Sequence, residues 1–298
     1  MSNKLKTYFR ILLYLSILFV VYYLYKFDFL SLKGLQIHLP FMLLAVLLLW
    51  VGFYLSTNSW KVSLYSHGYK ISNKEAIYSH GISVFGKYMP GKIWVILGRA
   101  SIISEKGLPL MQLASISLRE QLLYLLLGLI ISLVALPFLS VSIWFFILVI
   151  IGVVGLGLFL FSQWVHKIVV VLFLKLFKKE LNIPFIPMND ALPMVAAIMS
   201  YWIFWGLGFY FLVRAVAPDA SFLVALAFPM SVSCGLLAIF LPGGIGVREG
   251  IIVMFLTSIG HEPTLAITIS IIQRLWFISG ELFIFSAALI AKKSKTIS

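Results

Sequence analysis

The sequence predicts an all-α polytopic membrane protein, and composition and segment pattern both point to this class. Of its 298 residues, 62% are apolar and only 11% are charged, and the mean hydropathy is +1.07. Soluble domains are about half apolar and about a quarter charged, so a water-soluble fold could not bury this much apolar surface. Long apolar runs separated by charged or Pro/Gly-containing segments predict helices of roughly 20 residues that cross a bilayer.

Six apolar segments are long enough for complete spans. They cover 8–25, 39–57, 110–136, 141–163, 191–213 and 264–291. We interpret the first as a retained helix and not a signal peptide, because no small-residue cleavage site follows it. The basic stretch 164–181 favours an amphipathic helix on the anionic cytoplasmic leaflet, and the alternative is an ordinary basic loop.

Two further apolar regions are interrupted by helix-breaking residues. Region 75–104 contains Pro90-Gly91, and region 221–259 contains Pro242-Gly243-Gly244. The arms of the first region are short for full spans but suit a re-entrant hairpin, whereas the first arm of the second region is long enough to cross. The sequence therefore predicts six full spans plus two broken, re-entrant hairpins, or eight spans by some counts.

The distribution of basic residues predicts the orientation of the chain in the membrane. With the N-terminus placed inside, most Lys and Arg residues fall in cytoplasmic segments, and only Lys26, Lys33 and Arg214 fall on the opposite side. Cytoplasmic loops of membrane proteins carry such an excess of Lys and Arg. Both termini are therefore expected to be cytoplasmic, provided that region 75–104 enters and leaves on that side.

The two interruptions resemble each other. Segments 88–93 and 240–245 both read aromatic-apolar-Pro-Gly-X-Ile, and they lie about half the chain apart. The charge-derived topology places the first inside and the second outside, which predicts an inverted repeat with halves of about 1–163 and 164–298 within one transmembrane domain, 1–298. Paired Pro/Gly-interrupted segments in inverted halves are typical of transporter substrate sites, because broken helices persist at membrane depth only where they line a cavity or are buried.

Charged residues within apolar segments supply the candidate site, since each costs roughly 2.5–3.5 kcal/mol near mid-bilayer. Such residues line a polar path, or alternatively pair with one another and hold the bundle together. The half-helices that follow the breaks present N-terminal N–H groups that suit an anion. The candidate substrate-binding residues are Lys92, Arg99, Arg119, Glu120, Arg248, Glu249, Arg274 and Glu281. The candidate backbone breaks are Pro90, Gly91, Pro242, Gly243 and Gly244.

Motifs for covalent chemistry are missing from the sequence. The histidines have no ligand spacing, the acidic residues form no magnesium-binding motif, and Cys234 is the single cysteine. No nucleophile elbow or phosphate loop is present. We therefore expect no catalytic residues, no metal, no cofactor and no enzymatic activity. The net charge of +13 is spread between apolar segments and not gathered on a soluble module, so nucleic acid is not an expected partner.

The motifs themselves resemble a known family. Segment 241–250, Leu-Pro-Gly-Gly-Ile-Gly-Val-Arg-Glu-Gly, closely resembles the second signature of the lysylphosphatidylglycerol synthase transmembrane-domain (flippase-like) family. Segment 86–94, together with Arg99, resembles the first. Many relatives read Pro-Gly-X-X-Gly-Glu there, whereas this chain has Trp94 and Val95 in place of the Gly and Glu. The resemblance covers essentially the whole chain in length and segment order.

The resemblance implies a lipid translocase. The best-known members join this membrane domain to an aminoacyl-transferase domain and move charged phosphatidylglycerol to the outer leaflet, and here the synthase part is expected to be missing. Other relatives are associated with glycolipid or polyprenyl-linked sugar pathways. The expected cargo is thus an anionic or modified-headgroup lipid or a polyprenyl-linked glycolipid, in the cytoplasmic (inner) membrane of a prokaryote.

In that reading the basic site residues contact phosphate, and the carboxylates orient them or bind a cationic part of the headgroup. With no nucleotide-binding motif, transport is expected to be passive or ion-coupled. Two alternatives stay open. One is a non-catalytic subunit or scaffold of a cell-envelope lipid or glycan synthesis complex, with envelope-biosynthesis proteins as partners. The other, less favoured, is a membrane enzyme that acts on a lipid-linked substrate.

Overall fold

A computed structural model describes residues 37–88, 93–139, 142–178 and 188–293. Within these ranges the chain forms α-helices and short 3₁₀ turns, and no strand. The predicted all-α class is confirmed. The predicted first span, 8–25, lies outside the described residues.

The described ranges contain ten α-helices. They are α1 Leu39–Tyr65, α2 Asn73–Ser83, α3 Ile93–Ser104, α4 Leu110–Leu133, α5 Ile143–Phe161, α6 Gln163–Phe177, α7 Met188–Val216, α8 Ala227–Leu237, α9 Val247–Ser258 and α10 Pro263–Lys293. Two of the 3₁₀ turns lie at the predicted interruptions, Val84–Tyr88 after α2 and Pro242–Gly244 before α9.

Four described helices are long and apolar enough to cross a membrane, namely α1, α4, α7 and α10. They correspond to four of the predicted spans. A fifth corresponds to α5, which forms a bent pair with α6 at an angle of 95°. The chain is therefore a multi-pass membrane protein, while six full spans and the inverted relation of the halves stay predictions.

Helix α1 continues past its predicted end at residue 57 because polar side chains in its last turns have partners inside the bundle. The Ser59 hydroxyl donates to Glu120 Oε1 of α4 at 2.7 Å, and Trp60 Nε1 donates to Ser79 Oγ of α2 at 3.1 Å. Hydropathy alone ends the span where polar residues begin. Tertiary hydrogen bonds extend the helix to Tyr65.

The basic stretch after α5 forms the predicted helix, since α6 covers Gln163–Phe177. Ser162 caps it, because its hydroxyl accepts the Val165 N–H at 3.4 Å. The sharp bend from α5 suits a helix that leaves the span and turns along the membrane surface. Its position on the cytoplasmic leaflet stays a prediction.

Helix α10 contacts α1, α2 and α9. A Cβ added to Gly81 of α2 would lie 2.5 Å from the Ile284 carbonyl oxygen, so α2 rests directly on α10. Trp276 Nε1 of α10 donates to the Ala45 carbonyl of α1 at 2.9 Å. This packing places both interrupted segments beside one helix.

The start of α2 provides a pH-dependent contact outside the four long helices. Ser72 and Glu75 form a reciprocal capping box, and Lys106 Nζ lies 2.7 Å from Glu75 Oε1. Burial acts to raise the pKa of Glu75, but hydrogen bonds from Lys106 and Ser72 lower it to about 2.

Because the folded-state pKa of Glu75 is depressed, its ionised form stabilises the fold at neutral pH. That contribution is expected to be complete above about pH 4.5 and to be lost as the pH falls through about 2. Glu75→Gln should lower stability by only about 0.5–1 kcal/mol, since the pair is partly exposed. Thermal unfolding in detergent at pH 7 and pH 3 checks this, and an equal loss at both values would contradict it.

Candidate functional site

The two interrupted segments lie against each other. The turn Val84–Tyr88 contacts the turn Pro242–Gly244. A Cβ added to Gly243 would lie 2.7 Å from the Tyr88 ring and 2.9 Å from Arg274 Nη2. Gly243 also has a positive φ of 60°, so both its backbone conformation and its surroundings favour glycine. The sequence marked the two interrupted segments separately, and the fold brings the turns Val84–Tyr88 and Pro242–Gly244 together.

A cavity of about 150 Å³ lies beside this contact. Aromatic side chains form much of its wall, among them Phe53, Trp205 and Phe277. Its polar lining residues are Ser56, His80, Lys87, Arg99, Glu120, Gln121, Tyr124, Tyr201 and Arg248. Three of the predicted substrate-binding residues, Arg99, Glu120 and Arg248, therefore share one cavity with the predicted break residue Gly243.

Arg99 and Glu120 form a buried ion pair. Arg99 Nη1 lies 2.6 Å from Glu120 Oε2, and the Arg99 side chain is 0% exposed. Arg99 Nε donates to Ser117 Oγ at 2.6 Å, Nη2 donates to the Ser117 carbonyl at 2.9 Å, and the guanidinium lies 4.3 Å from the Trp60 ring centroid. This arrangement satisfies both charges and joins α3 to α4.

Arg248, in contrast to Arg99, has no ion-pair partner among the described residues. It is 5% exposed, and its buried Nε and Nη2 atoms donate to no group among the described residues. The guanidinium lies 4.6 Å from the Phe277 ring centroid. No carboxylate of the described residues lies within ion-pair distance of it, so the cavity contains a buried cation with unused donors.

The residues directly around the second break form a separate set. Glu249 Oε2 accepts the Gly246 N–H at 2.7 Å, which caps the start of α9. Glu249 Oε1 lies 3.6 Å from Arg274 Nη1, and the same Nη1 donates to the Gly243 carbonyl at 3.2 Å. Arg274 thus holds the backbone of the second break from α10.

Glu281 performs the corresponding role at the first break. It forms an ion pair with Lys87, and Tyr88 donates its hydroxyl to Glu281 Oε2 at 2.8 Å. Arg274 and Glu281 both lie in α10, as the predicted span 264–291 implies, but they do not pair with each other. Glu281 contacts the turn Val84–Tyr88 and Arg274 contacts the second break, so α10 connects the two segments.

The remaining predicted residues take other positions. Arg119 is fully buried and donates from Nη2 to the Leu160 carbonyl at 3.1 Å, away from the cavity lining. Lys92, Pro90 and Gly91 lie outside the described residues. Within the described ranges, no group of three or more His, Cys, Asp or Glu side chains is placed to hold a metal ion.

Several lining residues were not among the predicted set. Lys87 was counted among the cytoplasmic basic residues, and His80 was one of the histidines without ligand spacing, yet both line the cavity. Tyr88 was part of the first motif but appeared equivalent to Phe240 of the second. The fold separates them, because Tyr88 is 4% exposed and Phe240 is 91% exposed. Adjacency of Lys87 and Tyr88 to the first break is the sequence signal that could have identified them.

Fold and site together define a multi-pass membrane protein with a cavity that is lined by residues of both interrupted segments, Lys87 and Arg248 among them. The family described as Lysylphosphatidylglycerol synthase TM region matches residues 9–278, and the chain belongs to this family. Searches of curated proteins and of solved structures give no significant match. Membership connects the chain with lipid or envelope biosynthesis.

Proposed function

We propose that the chain is a lipid translocase that moves an anionic or modified-headgroup lipid, or a polyprenyl-linked glycolipid, between the leaflets of a prokaryotic cytoplasmic membrane. The headgroup enters the cavity between the two interrupted segments while the acyl or prenyl chains stay in lipid. Transport is passive or ion-coupled, and the chain performs no covalent chemistry. Both termini face the cytoplasm.

The guanidinium of Arg248 carries this proposal, because its buried Nε and Nη2 atoms donate to no group among the described residues. A buried charge without a partner costs several kcal/mol, so proteins normally pair it, and an anionic guest would supply the missing partner. Arginine binds phosphate well because its donors form a planar fork. The site also meets the general expectation for transporters, in which broken helices surround a polar substrate site.

One observation favours the alternative hypothesis of a scaffold, because most of the other buried charges pair with one another. Arg99 binds Glu120, Lys87 binds Glu281 and Arg274 lies near Glu249. Such pairs stabilise or specify a bundle without contacting a ligand. Arg248 does not fit that explanation, because pairing within the bundle would have supplied it with a carboxylate.

Arg248→Gln is expected to reduce lipid exchange by about 10- to 100-fold, because it removes charged hydrogen bonds worth about 1.5–3 kcal/mol to the headgroup. Purified protein is reconstituted in proteoliposomes with fluorescent phospholipids and with polyprenyl-linked sugars, and leaflet exchange is followed by dithionite quenching or lectin accessibility. The variant should keep the thermal stability of the wild type or exceed it, since it removes an uncompensated buried charge.

Arg214→Gln is the matched control. Arg214 is a partly buried arginine at the end of α7 that donates to the Pro218 carbonyl at 2.8 Å and does not line the cavity. Its variant should retain exchange. Equal rates in wild-type protein, both variants and empty liposomes, for every lipid tested, would contradict the translocase proposal and favour the scaffold.

A further inference from the structure

We infer that His80 is a proton-binding site of the cavity, and that a phosphate-bearing guest and a proton bind there together. This inference rests on the proposed function and names its coupling ion, because the sequence left open whether transport is passive or ion-coupled. It follows from the tautomer of one buried imidazole, from the charges around that ring and from its place in the cavity.

Hydrogen bonds between α1 and α2 determine which ring nitrogen of His80 carries a hydrogen. The Ser56 hydroxyl donates its single hydrogen to the Phe53 carbonyl at 2.7 Å. His80 Nε2 lies 3.2 Å from the same Ser56 oxygen, so Nε2 donates and the Ser56 oxygen accepts. The neutral ring therefore carries its hydrogen on Nε2, and Nδ1 keeps a lone pair.

This lone pair on Nδ1 is buried. His80 Nδ1 has no hydrogen-bond partner among the described residues, and His80 lines the cavity together with Ser56. A buried acceptor without a partner costs free energy, so its presence calls for an explanation. Protonation converts Nδ1 into a donor, which suits an acceptor that enters the cavity, such as a phosphate oxygen.

Charged and titratable groups surround His80. Those that line the cavity with it are Lys87, Arg99, Glu120, Tyr124, Tyr201 and Arg248. Arg99 and Lys87 lie close enough to repel a positive charge on the ring. Their own charges are balanced by ion pairs with Glu120 and Glu281. Arg248 adds a further positive charge, so a proton on His80 is unfavourable unless an anion is bound.

A phosphate group changes this balance. Its negative charge offsets Arg248 and attracts a proton to His80, and these interactions are stronger in a buried site than in water. Because the anion raises the proton affinity of the ring, the proton must raise the affinity for the anion by the same factor. A phosphodiester carries one negative charge, so the guest and its proton bind as a neutral pair.

Binding of short-chain phosphatidylglycerol to the full-length protein in detergent tests the inference, because the phosphodiester itself does not titrate near neutral pH. The affinity should increase by about 10-fold or more between about pH 7.5 and about pH 5.5, where uptake of one full proton would allow about 100-fold. Calorimetry in buffers that differ in ionisation enthalpy should show the uptake of about 0.5–1 proton per lipid at about pH 6.5.

His80→Gln keeps a donor for Ser56 but cannot be protonated, so its affinity should vary by less than about 2-fold over the same range. His67→Gln is the matched control and should retain the wild-type pH dependence. His67 Nε2 also has no partner among the described residues, and Nδ1 donates to the Ser63 carbonyl at 2.7 Å, but His67 does not line the cavity. An unchanged pH dependence in folded His80→Gln would overturn the inference, as would binding to wild-type protein without proton uptake or no binding at any of these pH values.

Nitrogen NMR of wild-type protein labelled at histidine gives a test that does not depend on the folding of His80→Gln. The ring of His80 should be neutral and protonated at Nε2 at about pH 7.5, and it should become an imidazolium when phosphatidylglycerol binds at about pH 6.5. A ring that stays neutral in the complex would contradict the inference. The two proposals fail separately: proton uptake without leaflet exchange in proteoliposomes refutes translocation alone, whereas exchange without proton uptake refutes the proton site alone.

Discussion

Replacing Arg99 with Met is expected to destabilise the protein by about 3–5 kcal/mol, because it leaves the Glu120 carboxylate buried without its cation. Glu120 is 3% exposed, and the Ser59 hydroxyl, which donates at 2.7 Å, would be its main remaining partner. The reverse variant, Glu120→Met, should have a similar effect on Arg99. Unfolding in mixed micelles with increasing denaturing detergent measures both changes.

The double variant tests whether the ion pair adds net stability to the fold. The alternative is that only the loss of one partner is destabilising, because it leaves the other charge buried alone. Arg99→Met/Glu120→Met removes both charges, so it should be clearly more stable than either single variant and close to wild type. Lys175→Met, at an exposed position of α6, is the control and should change stability by less than about 0.5 kcal/mol. Additive losses in the double variant would show that the two residues act independently.

Replacing Gly243 with Ala is expected to separate the two interrupted segments and to abolish most lipid exchange. The added methyl group would meet the Tyr88 ring at 2.7 Å and Arg274 Nη2 at 2.9 Å. Relief of that overlap costs about 1–3 kcal/mol, and the positive φ of 60° adds about 1–2 kcal/mol for a residue with a Cβ. Proteoliposome exchange and thermal unfolding should both decrease.

Gly107→Ala separates the two causes. Gly107 also has a positive φ, of 84°, but no atom lies within 4 Å of its added Cβ. It should therefore lose about 1 kcal/mol of stability through backbone strain alone and keep lipid exchange. If Gly107→Ala impaired exchange as strongly as Gly243→Ala, the contact of Gly243 with Tyr88 and Arg274 would not be the cause.

Helix α10 contacts residues at both interrupted segments. Glu281 holds Lys87 and Tyr88 beside the first break, and Arg274 holds the Gly243 carbonyl at the second. In the proposed function, a headgroup near Arg248 would lie between two segments that are attached to the same helix.

The helices and the positions of the interruptions followed from the sequence because their causes are local. Apolar runs of about 20 residues define spans, and Pro and Gly disturb the helix wherever they stand. Thus four described long helices match predicted spans, and α8 and α9 are separate helices on either side of the predicted break at Pro242–Gly244. The family resemblance rested on the same local motifs and is confirmed over residues 9–278.

The pairing of charges was decided only by the tertiary structure. The predicted span 264–291 contains both Arg274 and Glu281. In the fold, however, Glu281 binds Lys87 and Tyr88, residues almost two hundred positions away. Tyr88 and Phe240 occupy matching motif positions and have opposite environments for the same reason. Desolvation and distance determine which buried charges are paired, and both depend on how distant helices meet. The local sequence therefore predicted Arg248 as a candidate site residue. Only the fold decided that it is buried and lines a cavity.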